Sequence, residues 1–219
     1  MTSATSAAVV VPVKAFSAAK VRLAGALDPI ERADLARRMA AVVLAAAGPL
    51  PAIVVCDDHD VREWAEAAGA RVVWCPGRGL DGAVADGVSA LHADGVSMAV
   101  VAHADLPLAT RLDWLAEFPG VTLVPDRRLD GTNVLVVPTA AGFRFSYGAG
   151  SFARHRAQAR VLDLPARILR DDRLAWDVDV PADLAWPRAP DAVGRSRPLD
   201  PDTRPTEPGR VPDGREAWA

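Results

Sequence analysis

The chain has 219 residues, of which 50% are hydrophobic and 24% charged, with a formal net charge of -3 at neutral pH. That length and balance suit one α/β domain of roughly 150 to 200 residues followed by a tail. A slightly acidic chain with no basic stripe interleaved with aromatics argues against nucleic acid as the main partner. The N-terminus, MTSATSAAVVVPVK, carries no positive region ahead of its apolar run, so secretion is not indicated and a cytoplasmic location is expected.

Ala7 to Val13 has the unbroken apolar pattern of a strand covered on both faces. A loop from Ala15 to Leu27 follows, and Lys14, Lys20 and Arg22 place three cations after this strand. Asp28-Pro29-Ile30-Glu31 supplies an N-cap, a proline at N1 and an acid at N3, a helix start. Leu35, Met39, Val42, Val43 and Ala46 keep the helical period until Gly48. Met39 to Cys56 runs 18 residues without a charge, long enough to raise a membrane span. Gly48-Pro49-Leu50-Pro51 cuts it into a helix end, a turn and a strand start, so no membrane association is expected. Strand two is Ile53 to Cys56, and a short helix marked by Val61, Trp64, Ala65 and Ala68 stops at Gly69. Strand three is Arg71 to Trp74, and a helix runs from near Leu80 to about His92. Cys56 and Cys75 lack metal or redox spacing and read as reduced, buried thiols.

Strand four, Met98 to Ala102, ends in the polar break His103-Ala104-Asp105 before Leu106-Pro107. A carboxylate just beyond a central parallel strand lies where open α/β sheets bind ligands; the same Asp-Leu-Pro could simply end a strand. A helix over Thr110 to Phe118 and a fifth strand, Val121 to Val124, are expected next. The alternation argues for βαβ units and a mainly parallel sheet. Asn133 to Val137 and Phe143 to Tyr147 then read as a hairpin-like insertion around a turn at Thr139 to Gly142. Ser151 is expected to cap a helix, Ala166 to Arg170 is extended, and Trp176 to Pro181 leads into a last short helix. From Arg188 onward Pro, Arg, Asp and Gly dominate, so the domain is expected to span 1–187 and a disordered tail 188–219.

Several constellations could carry chemistry. The basic loop with Lys14, Lys20 and Arg22 could grip a triphosphate. Asp177 and Asp179, two apart in an extended segment, point the same way; beside Asp105 they would form an oxygen-rich magnesium site. Gly131-Thr132-Asn133 and Gly148-Ala149-Gly150-Ser151 could form an anion cradle of N–H and O–H donors. Ser151 and His155 share a helix face, but no acid is placed to orient the histidine and no nucleophile elbow is present. Gly77-Arg78-Gly79-Leu80-Asp81-Gly82 matches a dinucleotide fingerprint, with Asp105 after the next strand as its ribose acid. Pro76, Arg78 and the position at the third strand oppose that reading.

VPVKAFSAAKVRLAGAL, HADLPL, PDRRLDGTNVLVVP, FRFSYGAGSFARH and WDVDVPADL, in this order, resemble the guanylyltransferases of coenzyme F-420 biosynthesis, which act on 2-phospho-L-lactate or phosphoenolpyruvate. The resemblance covers Val9 to about Trp186. It implies a single-domain α/β nucleotidyltransferase fold of the GT-A or molybdenum-cofactor guanylyltransferase kind. It further implies Mg2+ as cofactor and GMP transfer from GTP to phosphoenolpyruvate or 2-phospho-L-lactate, with a transient hand-over of the product to the next enzyme of the pathway. By motif match, Asp105, Asp177 and Asp179 would hold metal, and Thr132, Asn133, Gly148 and Ser151 would flank the phosphorylated acid. Lys14, Lys20 and Arg22 would neutralise the triphosphate. The chain departs from the family at Asp81, where asparagine is common, and at Leu129-Asp130, where glycine is frequent. A 3-phosphoglycerate guanylyltransferase, a molybdenum-cofactor or sugar nucleotidyltransferase, and a non-catalytic nucleotide-binding protein are the alternatives. The second of these would carry a glycine-rich LAGG first loop where this chain has VPVKAFSAAK.

Overall fold

The computed structural model describes residues 6–185 and the backbone of 197–199. Valine-rich runs without polar alternation need cover on both faces, and the structure provides it. β1 (Ala7–Pro12), β2 (Ala52–Cys56), β3 (Arg71–Trp74) and β4 (Met98–Ala102) are parallel, and β1 lies between β2 and β4. Beyond β4 the sheet becomes mixed. β6 (Thr132–Pro138) runs antiparallel to both β4 and β5 (Val121–Pro125), and β7 (Ala166–Arg170) is parallel to β5. β8 (Arg197–Leu199) closes the order β3-β2-β1-β4-β6-β5-β7-β8.

Two apolar layers follow from the strand alternation. Val9, Val11, Val54 and Val100 pack with α1 (Pro29–Ala46) and α2 (His59–Ala67). Val10, Ile53, Val55 and Val101 pack on the opposite face with α3 (Gly79–Ala93) and α4 (Ser151–Val161). The capping box expected for α1 is present: Asp28 Oδ1 accepts from Glu31 N, and Glu31 Oε2 accepts from Asp28 N, both at 2.8 Å.

Gly87 marks the closest approach of α3 to the sheet, because a Cβ there would lie 2.6 Å from Val55 Cγ1 and 3.1 Å from Val10 Cγ1. Both valines are fully packed, so neither can withdraw. Gly87→Ala is therefore expected to cost about 1–3 kcal/mol despite its better helix propensity, read as a lower urea midpoint. An unchanged midpoint would mean that the helix shifts at no cost.

Three expectations need correction. Thr110 to Phe118 is not an α-helix but a single 3-10 turn, Asp113–Glu117. The segment is held by tertiary anchors: Leu112 N donates to Ala46 O at 2.8 Å, and Leu112 and Leu115 are fully buried. The hairpin lies one strand earlier than expected, between β5 and β6. Phe143 to Tyr147 forms no strand, since its backbone bonds to side chains: Ser146 N donates to His155 Nε2, Tyr147 N to Asp81 Oδ1, and the Ser146 and Tyr147 carbonyls accept from Arg154. Most of the tail expected to be disordered lies outside the described residues; Arg197–Leu199 pairs with β7. Among the described residues, no helix is long and apolar enough to cross a membrane.

Candidate active site

In an open α/β sheet the ligand crevice opens at the point where the strand order reverses, here between β1 and β4. A cavity of about 630 Å³ lies beyond the carboxyl ends of these strands, lined by Lys14, Lys20, Arg22, His103, Asp105 and Asp179 among others. The loop after β1 delivers the cations through two 3-10 turns, Phe16–Ala18 and Val21–Leu23. Between them Lys20 adopts a left-handed conformation, φ +54, which costs a non-glycine residue about 1 kcal/mol. The kink aims its side chain inward. Lys20 Nζ donates to Asp105 Oδ2 at 2.6 Å and to Asp179 Oδ1 at 3.3 Å, while Arg22 Nη1 lies 3.5 Å from Asp179 Oδ2. Lys14 is exposed at the rim.

The electrostatics match this geometry. Burial alone would lower the Lys20 ammonium, but the charges and hydrogen bonds of Asp105 and then Asp179 hold it above its ordinary value. Burial likewise opposes ionisation of Asp105, and Lys20, followed by His103, more than offsets it. Asp177 goes the other way: burial, then Asp105 and Asp179, push it up to about 6.

Does the site fit a divalent cation? Among the described residues no three His, Cys, Asp or Glu side chains are gathered into a ready-made cage. Mg2+, however, is commonly held by one or two carboxylates, with substrate phosphates and waters completing the shell. Asp105 and Asp179 already share a cation, the Lys20 ammonium, and Asp105 Oδ1 is buried with no hydrogen-bond partner. An orphaned carboxylate oxygen inside a carboxylate cluster fits a hard cation. Asp177 adds charge to the cluster but does not close a cage.

Asp179 sits on an irregular strap, 176–180, that docks on the β4 loop through Val178 N and Asp105 O at 3.3 Å. The strap turns into the 3-10 helix Pro181–Leu184, as expected.

The second cluster lies at the start of β6 and α4. Thr132, Asn133 and Ser151 are all buried, which the sequence did not reveal. Ser151 is the first helical residue and Gly150 the cap, so its hydroxyl does not cap the helix; it accepts from Thr132 N at 3.0 Å. Asn133 Nδ2 donates to Leu174 O at 3.0 Å. His155 Nε2 accepts from Ser146 N at 3.0 Å, which places its proton on Nδ1, 3.0 Å from Thr132 Oγ1. Ser151 and His155 therefore meet through Thr132 rather than as nucleophile and base. The two departures from the family pattern have structural work: Asp81 accepts from Tyr147 N at 2.7 Å, and Asp130 Oδ1 accepts from Gly150 N at 3.1 Å. Among the described residues, the Gly148 and Ala149 N–H groups have no protein acceptor. They are the open donors of this loop, whose φ angles of +92 at Gly148 and +73 at Gly150 require glycine.

Burial pushes His155 down to about 4. An unfolded histidine takes up its proton near pH 6.5, whereas this one resists until about pH 4, so stability is lost as pH falls through that window. At pH 5 the residue removes about 2 kcal/mol relative to pH 7. Urea unfolding of His155→Gln at the two pH values is expected to show a drop smaller by that amount; an equal drop would mean His155 titrates normally.

The dinucleotide fingerprint does not survive the topology. Gly77 and Gly79 follow β3, the outer strand, and Arg78 pairs with Asp86 at 2.7 Å. Residues that pattern reading missed are Asp126 and Arg154, whose side chains bond the backbone of their own loops, and Arg127 and Asp183, which pair with each other 56 residues apart.

Comparison with known proteins agrees with the geometry. The sequence profile of the family described as "Guanylyl transferase CofC like" matches residues 7–186. A phosphoenolpyruvate guanylyltransferase of Sphaerobacter thermophilus is 40% identical over 184 residues, covering 80% of this chain and 89% of that protein. One from Rubrobacter xylanophilus is 35% identical over 185 residues, covering 80% and 90%. Among solved structures, a nucleotidyl transferase from Methanothermobacter thermautotroptrophicus superposes with a TM-score of 0.58 at 20% identity, covering 83% of this chain and 95% of that one. A cytidylyltransferase from Leptospira borgpetersenii gives 0.55 at 11% identity, covering 83% and 84%. These two share the fold, a mostly parallel α/β nucleotidyltransferase sheet. The five ordered motifs, the cation-bridged carboxylates at the β1–β4 crevice and the matched span place the chain in the CofC-like guanylyl transferase family.

Proposed function

We propose that the chain transfers GMP from GTP to phosphoenolpyruvate with release of pyrophosphate. The observation that carries this reading is the Lys20 ammonium bridging Asp105 and Asp179 at the mouth of the β1–β4 cavity. That arrangement joins a cation site to a basic loop, which is what a nucleoside triphosphate requires. The acceptor is named by the relatives, phosphoenolpyruvate guanylyltransferases at 33–40% identity.

A phosphate monoester carries a charge of about -1.5 to -2 at neutral pH, so an acceptor phosphate oxygen needs no general base. It attacks the α-phosphorus of GTP in line; the new P–O bond forms as the bond from the α-phosphorus to the bridging oxygen breaks, and pyrophosphate leaves with that electron pair. Asp105 and Asp179, with Asp177 alongside, would hold Mg2+, which supplies charge neutralisation at the transferring phosphoryl group. Lys14 and Arg22 bind the triphosphate from the rim, and Lys20 turns from the carboxylates to the phosphates as they enter. The Gly148 and Ala149 N–H groups receive the acid acceptor, on a loop held by Asp130, which accepts from Gly150 N, by Arg154, which donates to the Tyr147 and Ala149 carbonyls, and by the Thr132–Ser151 bond at its helical end. The guanylylated acid is labile and passes to the next enzyme of the pathway.

The test is pyrophosphate release from GTP and Mg2+ with phosphoenolpyruvate, 2-phospho-L-lactate or 3-phosphoglycerate offered separately, the next pathway enzyme being present to draw off product. Release with phosphoenolpyruvate alone supports the reading. Release only with another acid replaces the acceptor, and release with none overturns the transferase assignment.

A further inference from the structure

The strap that carries Asp177 and Asp179 has no ladder to hold it, so something else must fix where its carboxylates point. The described contacts converge on one side chain. Arg127, in the β5–β6 loop, donates from Nη2 to Asp183 Oδ1 at 2.6 Å and to the Asp177 carbonyl at 3.3 Å. Its guanidinium lies over the Trp176 ring, 3.8 Å from the centroid. Trp176 Nε1 in turn donates to the Asp183 carbonyl at 3.3 Å, and Asp183 Oδ2 accepts from the N–H groups of Asp179 and Val180, both at 2.9 Å. Arg127 thus reaches Trp176, Asp177, Asp179 and Asp183, directly or through one bond. Asp183 is almost fully buried, and Arg127 is its ion-pair partner beside the Asp179 and Val180 N–H groups.

The loop presenting Arg127 is itself locked. Asp126 Oδ1 accepts from Arg128 N and Asp130 N at 2.9 and 3.0 Å, and its Oδ2 accepts from Gly131 N at 2.8 Å. A Cβ on Gly131 would lie 2.9 Å from that oxygen, so only glycine allows the loop to wrap the carboxylate so closely. Arg127 does not line the cavity, and its Nη2 is committed to the strap. Planar geometry matters here, because one group must stack on an indole while bonding a carboxylate and a carbonyl in its plane, which lysine cannot do.

We propose that Arg127 is a positioning residue that sets the Asp177 and Asp179 carboxylates for the divalent cation, acting through Asp183. The inference rests on the reading of Asp105 and Asp179 as the cation site. Partners that orient metal ligands from behind typically change metal affinity 10- to 100-fold when removed.

The probe is Mn2+, followed on the intact protein by water-proton relaxation without nucleotide or acceptor, so that turnover plays no part. Arg127→Met keeps the apolar bulk over Trp176 and removes the bonds; it is expected to weaken Mn2+ binding about tenfold or more. Arg127→Lys should fall between Met and wild type. GTP affinity measured in EDTA should stay within about twofold of wild type, because the loop after β1 is untouched. Asp183→Asn is the second variant, expected to weaken Mn2+ in the same direction, and it carries the test if Arg127→Met does not fold. Wild-type Mn2+ affinity in the folded variants overturns the proposal, as does equal loss of Mn2+ and of GTP in EDTA, which would mark general damage. If neither the wild-type protein nor Lys20→Met takes up Mn2+, the cation-site reading falls and the inference with it, a result distinct from either of those.

Discussion

Asp105→Asn is expected to reduce GMP transfer about 10³-fold, equivalent to about 4 kcal/mol of transition-state stabilisation, while the protein stays folded. The substitution is isosteric, and the backbone bond from Val178 N to the Asp105 carbonyl does not depend on the side chain. What changes is the charge. Lys20 loses the partner that holds it at 2.6 Å, and the amide presents either a neutral oxygen or an opposing donor. A hard cation loses its central carboxylate at the same stroke. Pyrophosphate release in single turnover and the melting temperature, measured together, separate the two effects. A variant that melts near wild type yet turns over at the wild-type rate would take this carboxylate out of the chemistry.

The parts of this molecule that could be read from sequence are those specified locally. The apolar runs of β1, β2 and β4 announce strands covered on both faces, and Asp28, Pro29 and Glu31 announce the start of α1; both hold. Phe143, Phe145 and Tyr147 alternate as a strand should, but the alternation reports half-burial and not a ladder. Their rings pack on His155 and on one another, while the intervening backbone bonds to Asp81, Arg154 and His155. The candidate site divides in the same way. Asp105 stands out because it ends a central strand, and Asp177 and Asp179 because of their spacing. Arg127 and Asp126 do not, since their partners lie across a loop or 50 residues away and no periodicity links them. Asp183 carried one faint signal: an acid three residues after Val180, at the third position of a helix opened by Pro181, accepts the Val180 N–H as such an acid should. Burial of Thr132 and Ser151 was illegible because it depends on how α4 seats against β6.

Lys20→Met is expected to separate binding of metal from use of metal. In the wild type the ammonium occupies the place between Asp105 and Asp179 that a cation would take, so added Mg2+ must displace it. Removing it leaves two like charges facing one another with no counter-charge between them. Asp179 is 38% exposed, and solvent screens it, so the expected loss of stability is about 1–2 kcal/mol and not the larger cost of a fully buried pair. Mg2+ should restore that loss. Because binding to the folded state stabilises it by RT ln(1 + [Mg2+]/Kd), each tenfold gain in affinity adds about 1.4 kcal/mol once Mg2+ exceeds Kd. The variant's melting temperature should therefore climb steeply with Mg2+ where the wild type responds weakly. Turnover should nonetheless fall about 10²-fold, the usual cost of removing one preorganised donor from developing charge. Lys14 and Arg22 remain, but at the rim. Tighter metal binding with slower transfer would show that Lys20 guards the cation site until a triphosphate draws the ammonium away. A variant whose stability ignores Mg2+ would mean that Asp105 and Asp179 hold lysine and nothing else, and the metal-assisted route would lose its two principal ligands.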